Sequence, residues 1–108
     1  MYRRNVKISE TTIALNALGQ RTRFEILRLL LKHDPEGLSA GEVACALSTA
    51  QNTLSSHLAK LSQAGLVHFK KRSRFRIYRA DRERLSEVLA EVSSELLEVE
   101  PNVRGCMS

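Results

Sequence analysis

A chain of 108 residues, 43% of them hydrophobic, is long enough for one compact domain with a modest core and leaves little room for a second. Aromatic residues contribute 5% and tryptophan is absent, so the core must come from Leu, Val, Ile and Ala, and a domain this small gains from burying surface against a second copy. The net charge of +5 favours a polyanionic partner over a basic one; no segment approaches the roughly 20 apolar residues of a membrane span and no leader-like apolar run follows the N-terminus, so a cytoplasmic protein is expected.

Residues 1–8, with Arg3, Arg4 and Lys7, read as a mobile arm ahead of a single domain, and residues 100–108 read as a flexible tail. A first helix is expected over Ser9–Leu18, broken by Gly19-Gln20. A second runs from Arg21 to His33, where Phe24, Ile26, Leu27, Leu29, Leu30 and Leu31 spread far enough around the helix to bury most of it. Pro35 and Gly37 end it. Ser39-Ala40-Gly41-Glu42 is a capping box, in which the hydroxyl and the carboxylate each satisfy a backbone N–H, and a short helix to Leu47 follows. Ser48-Thr49 makes a polar turn with Thr49 as candidate cap, and a longer helix spans Ala50–Ala64 with Leu54, Leu58 and Leu61 on one side.

Beyond Gly65 the hydrophobic period changes from helix to strand. Leu66–Lys70 and Phe75–Arg79 flank the charged turn Lys71-Arg72-Ser73-Arg74, and Phe75 and Ile77 alternate with Arg74, Arg76 and Tyr78, giving a hairpin with a packing face and a solvent face. Asp81 is a cap for a last helix in which Leu85, Leu89, Val92, Leu96 and Val99 recur at coiled-coil spacing beside Val88. That stripe serves either as a seam between two copies, together with Leu15 of the first helix, or as packing within the domain. Glu87, Glu91 and Glu95 read as its wet face.

Charge is sorted along the chain. From Thr49 to Ala80 no acidic residue occurs while Lys60, Lys70, Lys71, Arg72, Arg74, Arg76 and Arg79 do; Asp81–Glu100 carries seven acids. A short helix, a polar turn, a longer helix and a basic hairpin follow one another in the order of a winged helix-turn-helix, a mainly α fold with a small β-hairpin. In that geometry Gln51, Asn52, Thr53, Ser55 and Ser56 reach base edges: Gln and Asn can bond bidentately to adenine, and Ser and Thr to bases or phosphates. His57 and Lys60 suit phosphates, His57 having a core position as its alternative, and Arg72, Arg74 and Arg76 suit the backbone or a narrow minor groove. A winged-helix module for a protein or RNA partner is the competing class. With His33, His57 and His68 scattered and no phosphate loop, no catalytic set is apparent and no cofactor is called for.

Ala17-Leu18-Gly19-Gln20-Arg21-Thr22-Arg23-Phe24-Glu25-Ile26-Leu27, then Leu54-Ser55-Ser56-His57-Leu58-Ala59-Lys60-Leu61 and Ala64-Gly65-Leu66-Val67, resemble the ArsR/SmtB repressor family over residues 10–98. The resemblance implies a homodimer joined through its first and last helices, bound to a dyad-symmetric double-stranded operator and released by an inducer. It departs at the metal sites. Ser39, Ala40 and Gly41 stand where thiol-based metal sensors of that family carry Cys-x-Cys, and residues 82–99 contain no His, so no metal site is expected and the inducer is unidentified. A repressor responding to thiol oxidation or arsenite through Cys45, Cys106 or both is the alternative; Cys45 otherwise serves as a small, inert hydrophobe.

Overall fold

The computed structural model describes residues 7–98 and Pro101. The expected arm, apart from Lys7 and Ile8, and the expected tail with Cys106, apart from Pro101, lie outside the described residues, as does Val99. The elements are α1 (Ile8–Leu18), α2 (Arg21–Lys32), β1 (Leu38–Ser39), α3 (Ala40–Leu47), α4 (Gln51–Gln63), β2 (Val67–Arg72), β3 (Phe75–Ala80) and α5 (Arg82–Leu97). Five helices and a hairpin therefore follow the order expected from the sequence. Local chemistry explains their ends. Ser39 Oγ accepts from the Glu42 N–H at 3.2 Å while the Ser39 N–H donates to Glu42 Oε1 at 2.8 Å, and Asp81 Oδ1 accepts from the Arg84 N–H at 2.8 Å. Both caps satisfy donors that the first helical turn leaves open.

The core gathers Ile26, Leu27 and Leu30 of α2, Val43 of α3, Leu54, Leu58 and Leu61 of α4, and Val88 of α5 beneath the hairpin. The α2 helix is buried on one side rather than on most. Arg23, Ile26, Leu27 and Leu30 face inward, whereas Phe24, about 100° away around the helix, is 57% exposed.

A third strand was not expected. Two-residue β1 joins an antiparallel sheet of order β1-β3-β2, with Leu38 opposite Tyr78 and Ser39 opposite Ile77. So short a strand leaves no alternation to read and exists because β3 offers it an edge. The chain enters it through Gly37, whose φ is +80° and whose missing Cβ would lie 2.6 Å from the Tyr78 carbonyl oxygen. Gly37→Ala is expected to lower stability by roughly 1–3 kcal/mol, measured by urea unfolding at unchanged m; a loss under about 0.5 kcal/mol, the usual range for a surface change, would show that the turn relaxes freely.

The hairpin turns more tightly than expected, at Ser73-Arg74, with Ser73 at φ 58°. Its packing face is also the reverse of the expected one. Val67 is fully buried, and the register pairs Val67 with Ala80 and Phe69 with Tyr78, so Tyr78 and Ala80 turn inward while Phe75 is 52% exposed. Paired residues share a face in an antiparallel ladder, and one buried anchor fixes all the others.

On α5, Val88 is fully buried and Leu85 and Val92 pack partly against the domain's own core, while Leu89 and Leu96 are 54% and 68% exposed. The expected seam is thus divided between the two roles proposed for it. Glu91 belongs to the inner side, at 6% exposure, because three residues after Val88 the helix has turned almost back to the same face; of the three, Glu87 is half-buried and Glu95 exposed. α1 packs beside α5, where Arg84 Nη1 lies 3.7 Å from Glu10 Oε2, and leaves Ile8 and Leu15 exposed.

Candidate nucleic-acid interface

The α4 helix is held by Leu54, Leu58 and Leu61, all at or near zero exposure, which turns its opposite side to solvent. Gln51, Asn52, Thr53, Ser55, Ser56 and Lys60 are all exposed. At about 100° per residue, Asn52, Ser56 and Gln63 point most directly away from the leucines, and Gln63 extends the polar stripe beyond the residues singled out from the sequence. Two of these groups are partly engaged within the helix: Ser55 Oγ donates to the Gln51 carbonyl at 3.0 Å, and Asn52 Oδ1 accepts from the Thr53 N–H at 2.9 Å. Gln51 leans toward α3, where a methyl on Gly41 would stand 4.0 Å from its Nε2.

Ala50, not Thr49, is the residue that precedes α4, and it supplies no side-chain cap; the Thr49 hydroxyl donates instead to the Leu47 carbonyl at 3.1 Å. Of the first N–H groups of α4, that of Thr53 is taken by Asn52 Oδ1, while none is capped by the preceding side chain, and they stand at the positive end of the helix dipole. A phosphate oxygen is the natural complement to both.

His57 does not point freely outward. It is half-buried, and its Nδ1 lies 3.3 Å from Nη1 of Arg23. Arg23 is 8% exposed and also donates from Nε to the Ala17 carbonyl at 2.6 Å and from Nη2 to the Asn16 carbonyl at 3.5 Å. One guanidinium thus joins the C-terminal carbonyls of α1 to α4. Burial, then the Arg23 and Lys60 cations, push the His57 pKa down from its ordinary value. A neutral ring accepting at Nδ1 carries its proton on Nε2, which leaves one donor for a phosphate. Arg23 was not singled out from the sequence, although it occupies the first place of the i, i+3, i+4, i+7 stripe with Ile26, Leu27 and Leu30.

The three hairpin arginines are exposed but do not share a face. Arg74 stands at the turn with its guanidinium carbon 5.6 Å from the Phe75 ring centre, Arg76 stacks over Phe69 at 4.5 Å, and Arg72 lies opposite Phe75 on the other face. The wing therefore presents cations in several directions, as a projection beside a groove requires. At its base His68 Nε2 meets Asp81 Oδ2 at 2.7 Å. Partial burial alone would raise the Asp81 carboxyl, but the Arg84 N–H, His68 and the Arg84 charge together hold it below its ordinary value.

Among the described residues no three His, Cys, Asp or Glu side chains are grouped to hold a metal ion. Cys45 is exposed on α3 rather than packed in the core; Cys106 lies outside the described residues. Among those residues no helix is long and apolar enough to cross a membrane.

A helix-turn-helix domain family model matches residues 18–68, from the end of α1 into β2. The chain is 34% identical over 70 residues to the transcriptional activator HlyU of Vibrio cholerae serotype O1, an alignment covering 65% of this chain and 62% of that protein. Among solved structures, an ArsR-like transcriptional regulator from Rhodococcus sp. RHA1 superposes with a TM-score of 0.71 at 29% identity, over 83% of this chain and 82% of that one. The homodimeric winged helix-turn-helix DNA-binding domain Mb0332 (fragment 1–100) of Mycobacterium bovis does so with a TM-score of 0.66 at 26% identity, over 88% of each. With five helices in this order, an exposed polar α4 and a basic wing, the chain carries a helix-turn-helix domain and is similar, in sequence and fold, to ArsR-family winged helix-turn-helix transcriptional regulators.

Proposed function

We propose that this protein is a dimeric, sequence-specific DNA-binding regulator that represses by occupying a dyad-symmetric operator. The observation that carries the reading is the α4 surface: its exposed N-terminal half bears Gln51, Asn52, Thr53, Ser55 and Ser56 and no charge, flanked by a stretch free of acids. Uncharged side chains with paired donors and acceptors discriminate base edges, whereas charged ones bind phosphate irrespective of sequence. Gln51 and Asn52 read bases; Lys60, His57 Nε2 and Arg72, Arg74 and Arg76 hold the backbone. Repression needs nothing beyond occupancy, which is why it is preferred to activation. The exposed Leu89, Leu96 and Leu15 supply the dimer contact; the similar Mb0332 domain is itself homodimeric. Its place of action is the cytoplasm, where such an operator is accessible.

Selection from random duplexes followed by fluorescence anisotropy tests this. Gln51→Ala and Asn52→Ala are each expected to cost roughly 1–3 kcal/mol on the selected site and to relax preference at one base position, while Arg74→Ala weakens all sequences alike and reduces the salt slope by about 1. Selection that enriches no sequence, or three variants that bind like the parent protein, would refute the reading.

A further inference from the structure

The outer face of the hairpin, turned away from the core, forms one wall of a cleft of about 660 Å³ whose other side is the α2–β1 connection at Asp34, Pro35 and Glu36. That volume lies in the range of small-molecule sites, roughly 300–1,000 Å³. Ile77 and Pro35 contribute apolar surface; Lys70, Arg72, Arg79 and Arg82 contribute charge. The cleft is electropositive, with five cationic side chains against three carboxylates along its lining, and one of those carboxylates, Asp81, is already bonded to His68.

The cations at its base are held in place. Asp34 Oδ1 accepts from Arg79 Nη2 at 3.0 Å, and Asp34 Oδ2 lies 4.0 Å from Arg82 Nε, while Arg82 Nη2 donates to the Leu31 carbonyl at 3.4 Å. One carboxylate therefore positions two guanidinium groups, leaving one positive charge in excess and most of their ten N–H donors unspent. Lys70 and Arg72 have no ion pair among the described residues. Fixed donors beside an apolar wall match a ligand that is anionic at one end and flat and apolar at the other, because a guanidinium bonds carboxylate oxygens in its own plane.

We infer that this cleft is an effector site for a small aromatic carboxylate, and that its occupant weakens DNA binding by drawing Lys70 and Arg72 off the phosphate backbone. The site itself stands on the cleft alone; the effect on DNA rests on the regulator reading given above. The coupling is short. Arg72 lies next to the Ser73-Arg74 turn that forms the tip of the wing, on the strand that also carries Lys70.

Benzoate and acetate serve as probes, titrated into the full chain and followed by isothermal calorimetry and amide chemical shifts. Benzoate is expected to bind once per chain, at least tenfold more tightly than acetate, with shifts confined to residues 34–37, 68–72 and 77–82. Lys70→Gln, at an exposed position that leaves the fold intact, is expected to weaken it about threefold, and Arg79→Gln at least tenfold. No saturable benzoate binding, equal affinity for acetate, or an unchanged affinity in both variants would overturn the site. On a selected duplex, saturating benzoate is expected to lower affinity at least fivefold in the parent protein and less in Lys70→Gln; an unchanged affinity would overturn the coupling. Benzoate binding by a protein that binds no duplex would uphold the site and refute the regulator reading instead.

Discussion

Leu89→Glu combined with Leu96→Glu is expected to turn the protein into a folded monomer and to weaken binding to a dyad-symmetric operator by roughly 10²–10⁴-fold, the factor lost when two linked half-sites are contacted independently. The two leucines lie seven residues apart, so they stand one above the other on the same side of α5, and both are mostly exposed in the single chain. Glutamate there removes apolar contact area and sets like charges against each other across a two-fold axis, where every substitution is doubled. The domain itself loses little, because its own packing on α5 runs through Val88 and, in part, Leu85 and Val92. Sedimentation velocity reads the mass and circular dichroism the fold. A dimer that survives both charges would place the interface elsewhere, with Ile8, Ile13 and Phe24 as the remaining exposed apolar residues of α1 and α2.

Arg23→Ala is expected to cost about 2–4 kcal/mol of stability, since hydrogen bonds to a charged group are worth roughly 1.5–3 kcal/mol and truncation leaves the Ala17 carbonyl oxygen buried without its Arg23 donor. It also removes the His57 partner, so specific DNA affinity should fall even where the chain remains folded. The acid dependence separates the two contributions. The His57 pKa is depressed in the folded protein, so the stability tied to its neutral ring is complete above about pH 6.5, the unfolded value, and is lost as pH falls through the lower folded value. The groups that oppose its protonation are Arg23 from α2 and Lys60 on α4 itself. His57→Gln keeps an acceptor for Arg23 and removes the titration, so unfolding free energies measured between pH 7.5 and 5.5 should fall less steeply than in the parent protein. Parallel slopes in the two proteins would mean that protonated His57 is accommodated by movement of the Arg23 side chain.

Much of this molecule is written in short stretches of chain. The caps at Ser39 and Asp81 are set within three residues of themselves, the change from helical to alternating period occurs at Gly65, and the acid-free run and the uncharged Gln51–Ser56 segment need no tertiary information to be seen. These are local properties, governed by hydrogen bonds and periodicities that span one or two turns. What remained hidden involves partners far apart in sequence. Strand β1 exists through its pairing with β3, about forty residues on; the hairpin's inner face follows from Val67 being buried; and Arg23 meets His57 across 34 residues. The sequence by itself determined the order of the helices and the hairpin, the uncharged polar face of α4 and the placement of positive charge. Tertiary structure decided which residues of α5 face the domain and which face outward, which side of the wing encloses a cleft, and which arginine is structural, because each depends on what another element places opposite it.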